Sequence, residues 1–151
     1  MGTKERGVGG TCGSRPIAVS ATYPCDDRIS RARAATREFL VETAPVFPAD
    51  ARVSEDDADL AQLVVSELVT NAHKYAPGPS RLILTRTSDA VHVSVEDSSR
   101  DLPRPHGSDP MRSGQHGLEI VVAVCRSLDI RREPVGKRVT AVLGLAHCQA
   151  A

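Results

Sequence analysis

Within the run Ser66-Glu67-Leu68-Val69-Thr70-Asn71-Ala72, a carboxylate and an amide stand four residues apart among apolar side chains. On a helix that spacing puts both on one face, one turn apart. Leu60, Ala61, Val64, Val65, Leu68, Ala72 and Tyr75 form the apolar stripe of the same helix. At 100° per residue, Asn71 falls about 60° from the stripe's centre and Glu67 about 100° from it, with Lys74 near them. A buried amide costs free energy unless its hydrogen bonds are met. The edge therefore lines solvent, as the rim of an ordinary core helix does, or it faces a polar guest. For the second case the chemistry is specific. An amide oxygen is a hard ligand suited to Mg²⁺. A carboxylate one turn away can hold or deprotonate a hydroxyl or a water.

Two further features extend this set. Asp97 ends a strongly alternating segment, Val91-His92-Val93-Ser94-Val95-Glu96, and can accept a hydrogen bond from an exocyclic amine such as that of adenine. Its plainer reading is a turn aspartate before Ser98-Ser99. Gly114-Gln115-His116-Gly117 opens a helix. Glycines there let backbone N–H groups approach an anion, although two glycines alone are a weak signal. His116 faces either a phosphate or solvent. The preceding stretch at 98–113 has three prolines and no period, which suits a lid.

The elements that must position these residues follow from pattern and punctuation. Ile17–Tyr23 alternates as a strand. Asp26 or Asp27 caps a helix running to about Val41, with Ile29, Ala32, Thr36, Phe39 and Leu40 inward and Arg28, Arg31 and Arg37 outward. The stretch APVFPAD breaks it. Ser54 and the acids after it start the helix that carries Glu67 and Asn71, which stops before Pro77-Gly78-Pro79. Residues 81–87 and 90–97 form a hairpin around Ser88-Asp89, with His92 on its wet side. A helix from about Leu118 to Arg126 and strands near 127–132 and 138–145 close a domain spanning 17–145. Residues 1–16 and 146–151 read as tails, the first of them disordered. The order β-α-α-β-β-loop-α-β-β predicts an α+β fold, a two-layer sandwich with helices on one face of a mixed, mostly antiparallel sheet.

Composition narrows the function. The 151 residues carry 19 basic and 19 acidic side chains, so no basic surface for nucleic-acid phosphates is expected. With two Phe, two Tyr and no Trp, the core must be built from Val, Leu, Ile and Ala. No apolar run is long enough to span a membrane and the N-terminus has no signal-peptide core, which predicts a cytoplasmic protein. Cys12, Cys25, Cys125 and Cys148 are scattered and form no Cys-x-x-Cys pair.

The motifs and their order resemble the GHKL ATP-binding superfamily over roughly residues 17–145, and within it the RsbW/SpoIIAB-like anti-sigma factors with serine-kinase activity. VVSELVTNA at 64–72 is similar to that family's N box. VEDSS at 95–99 sits where the family has an Asp-x-Gly-x-Gly box, and SGQHGLEIV at 113–121 where it has a second glycine box. ARAATREF at 32–39 resembles its first helix. The resemblance implies Glu67 as catalytic base, Asn71 as the Mg²⁺ ligand, and Asp97, Ser99, Gly114, Gly117, Leu118 and Thr140 as nucleotide contacts. It implies Arg33 as a contact to protein partners: a sigma factor and its STAS-domain antagonist. ATP and Mg²⁺ would be the cofactors, and a homodimer the assembly.

The sequence departs from that pattern in places. Ser99 and Asp101 replace the glycines of the first box. Two residues separate Gly114 from Gly117, and Lys137 and Arg138 precede Thr140 on the last strand. A second expectation therefore stands beside the kinase: a degenerate GHKL module that sequesters a regulatory protein without turnover. No Cys/His or Ser/His/Asp pattern supports an unrelated enzyme, and no helical hairpin with a phospho-acceptor histidine supports a histidine kinase.

Overall fold

The computed structural model describes residues 3–6, 17–23, 28–75, 80–97, 115–134 and 136–145. Ser54 begins the longest helix as the sequence predicts. Its Oγ accepts a hydrogen bond from the Asp57 amide at 3.0 Å, and helix α2 runs over Glu55–Tyr75. Glu55, Asp56 and Asp57 in its first turn and His73 and Lys74 in its last complement the helix dipole. Helix α1 covers Arg28–Thr43 and α3 covers Gln115–Val124. The APVFPAD break forms two short 3-10 turns, at Ala44–Val46 and Ala49–Ala51.

The strands are β1 (Thr3–Arg6), β2 (Ile17–Tyr23), β3 (Ser80–Arg86), β4 (Ala90–Asp97), β5 (Ser127–Glu133) and β6 (Gly136–Gly144). They form one sheet in the order β1-β2-β3-β4-β6-β5. Every pairing among the described strands is antiparallel, so the expected mixed sheet is corrected to an antiparallel one. The reason is topological. Helices connect strands twice: α1 and α2 lead from β2 to its antiparallel neighbour β3, and α3 leads from β4 to β5, on the far side of β6.

Period two on β4 turns Val91, Val93 and Val95 to one face, and all three are fully buried. In register with them lie Leu143, Ala141 and Val139 of β6, and Leu82 and Leu84 of β3 share that face. Against it pack Ala61, Val64, Val65, Leu68 and Val69 of α2, with Ala32, Phe39 and Leu40 of α1 and Leu118 and Val121 of α3. The α+β sandwich with helices over one sheet face is thus as predicted.

Three details differ from the sequence reading. A strand, β1, stands within the predicted N-terminal tail and pairs with β2. Its sequence, Thr-Lys-Glu-Arg, carries no apolar period, because an edge strand is held by backbone hydrogen bonds and tolerates charge. The remainder of the tail, the capping Asp26 and Asp27, the proposed lid and residues 146–151 lie outside the described residues. Helix α3 starts three residues before Leu118. Ile29, assigned inward on α1, is 39% exposed.

One core position is unusual. Arg86 continues the buried face of β3 and is fully buried. Its Nη2 donates to the Ala51 carbonyl at 2.6 Å and its Nη1 to Thr43 Oγ1 at 3.5 Å, while the guanidinium lies 4.2 Å from the Phe47 ring centroid. Burial lowers its pKa from the ordinary arginine value. This cation ties the 3-10 turns at 44–51 to the sheet.

Candidate functional site

Helix α2 packs its apolar stripe on β4, which leaves the edge carrying Glu67 and Asn71 at the boundary of the core. Asn71 is 4% exposed, and its Nδ2 has no hydrogen-bond partner among the described residues. Glu67 is half-buried. Gly117, in the first turn of α3, lies directly against it. A methyl group on Gly117 would collide with Glu67 Oε2 and come within 3.3 Å of its Cδ. The N-box pair and the second glycine box, 46 residues apart between Asn71 and Gly117, therefore meet in space. The bare backbone at 117 allows this approach, and the helix start brings backbone amides and the positive end of its dipole beside the Glu67 edge.

Asp97 reaches the same end of the molecule. Ser80 begins β3 shortly after Tyr75 ends α2, and the β3–β4 register that pairs Arg81 with Glu96 puts the end of β4 beside it. Asp97 has the parity of Val91, Val93 and Val95, so it faces the helices, and it is 6% exposed. Its neighbour across the ladder is Lys137. The Lys137 Nζ lies 2.9 Å from Asp97 Oδ2, with both side chains closed to solvent. Lys137 follows Gly136, whose φ of 105° the hairpin between β5 and β6 requires.

Two other predicted contacts do not join this group. Thr140 pairs with Ser94 on the opposite face of the sheet, its Oγ1 2.9 Å from Ser94 Oγ, so the sheet itself separates its side chain from Asp97. Thr140 is thus not brought together with Asp97; on a strand, a shift of one residue changes the face. The Leu118 side chain is buried in the core, which leaves only its backbone amide available. Ser99 and Gly114 lie outside the described residues, as does the His116 side chain. Arg33 is exposed on α1, away from the core face, and its carbonyl accepts from Gln62 Nε2 at 3.1 Å.

Lys137 is the site residue that motif reading passed over as a departure from pattern. The signal lay in the register: Asp97 is in phase with Val91, Val93 and Val95 on β4, and Lys137 with Val139, Ala141 and Leu143 on β6. Only the pairing of the two strands turns that parity into a contact.

Residues 28–143 match the histidine kinase-like ATPase domain, from the first residue of α1 to the penultimate residue of β6. The chain belongs to that family. No curated protein matches it. Membership of the histidine kinase-like ATPase family makes this an ATP-binding domain of the GHKL type, and the gathered residues fit such a guest. The Asn71 Nδ2 is a buried donor without a partner among the described residues, and Gly117 lets the Glu67 carboxylate lie against the start of α3. Among the described residues no cluster of three His, Cys, Asp or Glu side chains could cage a metal. Mg²⁺ needs none, since it keeps waters and substrate phosphates as most of its ligands. No helix among the described residues is long and apolar enough to cross a membrane.

Proposed function

We propose that this domain is an ATP- and Mg²⁺-dependent protein serine kinase of the anti-sigma-factor type, which binds a sigma factor and phosphorylates a serine on its STAS-domain antagonist. The observation that carries the reading is the meeting of Glu67 with Gly117 beside the unpartnered buried amide of Asn71. In this reading the Asn71 amide oxygen holds Mg²⁺ on the triphosphate. The amides at the start of α3, Leu118 among them, receive phosphate, and Asp97 receives the amine of the base, with Ser99 and Gly114 on the flanking segments. Glu67 accepts the proton of the attacking serine hydroxyl. Bound Mg²⁺ offsets the charge of the phosphates, and positioning supplies most of the remaining catalysis. Arg33, exposed on α1, is the partner-facing residue, and two copies of the domain form the working assembly in the cytoplasm.

Transfer of labelled γ-phosphate to the cognate antagonist tests this. Removing the general base in Glu67→Ala should lower the rate by roughly 10²–10⁴-fold. If wild type and Glu67→Ala transfer phosphate equally, or neither does, the kinase reading fails.

A second reading has its own observation. The closed Asp97–Lys137 pair suits a module that sequesters its partner stoichiometrically without turnover. Calorimetry with ATP and Mg²⁺ separates the two. Micromolar binding lost in Asn71→Ala supports the kinase; no heat at all supports the module.

A further inference from the structure

The base end of the site already holds an ion pair. Asp97 and Lys137 face each other across β4 and β6, with Nζ 2.9 Å from Oδ2 and side-chain exposures of 0% for the lysine and 1% for the aspartate. A carboxylate taken out of water needs a partner, and a lysine deserts one only for an equivalent. From this juxtaposition we propose that Lys137 is the affinity-determining residue of the nucleotide site: it competes with the purine amine for Asp97, so that a base binds only by displacing the ammonium from the carboxylate. The proposal rests on the reading of this end as the base pocket of an ATP site.

The fold leaves Lys137 little choice. Gly136, with φ 105°, fixes the β5–β6 hairpin, and the β4–β6 register then sets residue 137 opposite Asp97 on the helix-facing side. The next residue, Arg138, is turned to the other face, where it pairs with Glu96 and with Glu133. A small side chain at 137 would take the ammonium away from the carboxylate. The long ammonium instead fills the position with a competitor of fixed, high effective concentration. The competitor thus acts at the base end of the site.

Isothermal titration with three probes tests this: ATP·Mg, ADP·Mg and inorganic triphosphate·Mg. Lys137→Met should bind ATP·Mg and ADP·Mg at least about tenfold tighter than wild type. Triphosphate·Mg, which has no base, should bind both proteins alike. Because Lys137→Met takes the ammonium away from a buried carboxylate and can fail to fold, the double variant Asp97→Asn/Lys137→Met serves beside it. That variant keeps an acceptor at 97 and removes both charges of the pair, and it should also gain on ATP·Mg over wild type. Thermal unfolding without ligand establishes that each variant is folded. If a folded variant binds ATP·Mg no tighter than wild type, the competition is refuted while the nucleotide reading stands. An equal gain for triphosphate·Mg refutes it too, since the effect would then lie at the phosphates. If neither wild type nor any folded variant binds ATP·Mg, both the competition and the nucleotide reading fall.

Discussion

His92 and Cys125 show what burial does to single ionisable groups in this domain. His92 stands on the polar face of β4, half-buried, and desolvation lowers its pKa from 6.5, with the charge of Arg126 adding to that and Asp89 opposing it. A histidine whose folded pKa lies below its unfolded value binds protons more readily when unfolded. Its contribution to stability is complete above pH 6.5 and is lost as the pH falls through the folded value. His92→Asn should therefore flatten the acid side of the stability profile. Denaturant midpoints at pH 7.5 and 5.5, conditions on the order of one pH unit either side of the ordinary histidine value, should separate more for wild type than for the variant. Equal separations would show that His92 titrates as it does in water. Cys125 is the opposite case: burial raises its thiol pKa to about 11. Only about a thousandth of it is thiolate near pH 8, so it should resist alkylation in the native protein. Peptide mass mapping after iodoacetamide at that pH should find Cys125 unmodified until denaturant is added. Rapid native modification would disprove the burial.

At the scale of elements, the decisive contact is between α2 and α3. Alanine in place of a helical glycine usually stabilises by about 0.5–1 kcal/mol. Gly117→Ala should keep most of that gain, because its methyl group displaces only the flexible Glu67 carboxylate and no backbone. The expected result is a melting temperature that holds or rises while phosphate transfer falls, since the proposed base has swung from its place. Unchanged transfer would mean that Glu67 acts equally well from its displaced position. Arg86 does comparable work at the other end of β3. It satisfies the Ala51 carbonyl, meets Thr43 and covers Phe47, so Arg86→Ala should cost about 3 kcal/mol, read as a lower urea midpoint at unchanged slope. Arg86→Lys should recover little of this, since a point ammonium lacks the planar fork. Helices, hairpins and the Glu67–Asn71 edge were legible because each is written in a local period or cap. The Ser54 cap, the valines of β4 and the break at APVFPAD needed no partner to be recognised. What was hidden depends on pairing. β1 is held by backbone bonds to β2, Arg86 takes a position that periodicity assigns to an apolar side chain, and Lys137 meets Asp97 only once the β4–β6 register is set.

Taken as a whole, the molecule buries a strong apolar interface between helices and sheet but interrupts it at one end with polar groups that the fold alone does not need. The amide of Asn71 is the clearest: a donor enclosed by the core that finds no acceptor among the described residues. In a domain stabilised by a modest net free energy, an unmet buried donor is a liability of roughly 1–3 kcal/mol. Asn71→Ala should therefore leave the unliganded melting temperature unchanged or raise it, whereas removing an amide that served packing or hydrogen bonding would lower it. With ATP·Mg the order should reverse. At a ligand concentration 100 times its Kd, binding to the native state alone adds about 2.7 kcal/mol, which for a domain of this size raises the melting temperature by roughly 5–10 °C. Wild type should show that rise and Asn71→Ala should not, so that the variant melts higher without ligand and lower with it. A parallel rise in both proteins would place the Mg²⁺–phosphate contact on some other residue. A variant that is less stable in both conditions would make Asn71 a structural amide, and the polar interruption at that end of the sandwich would need another cause.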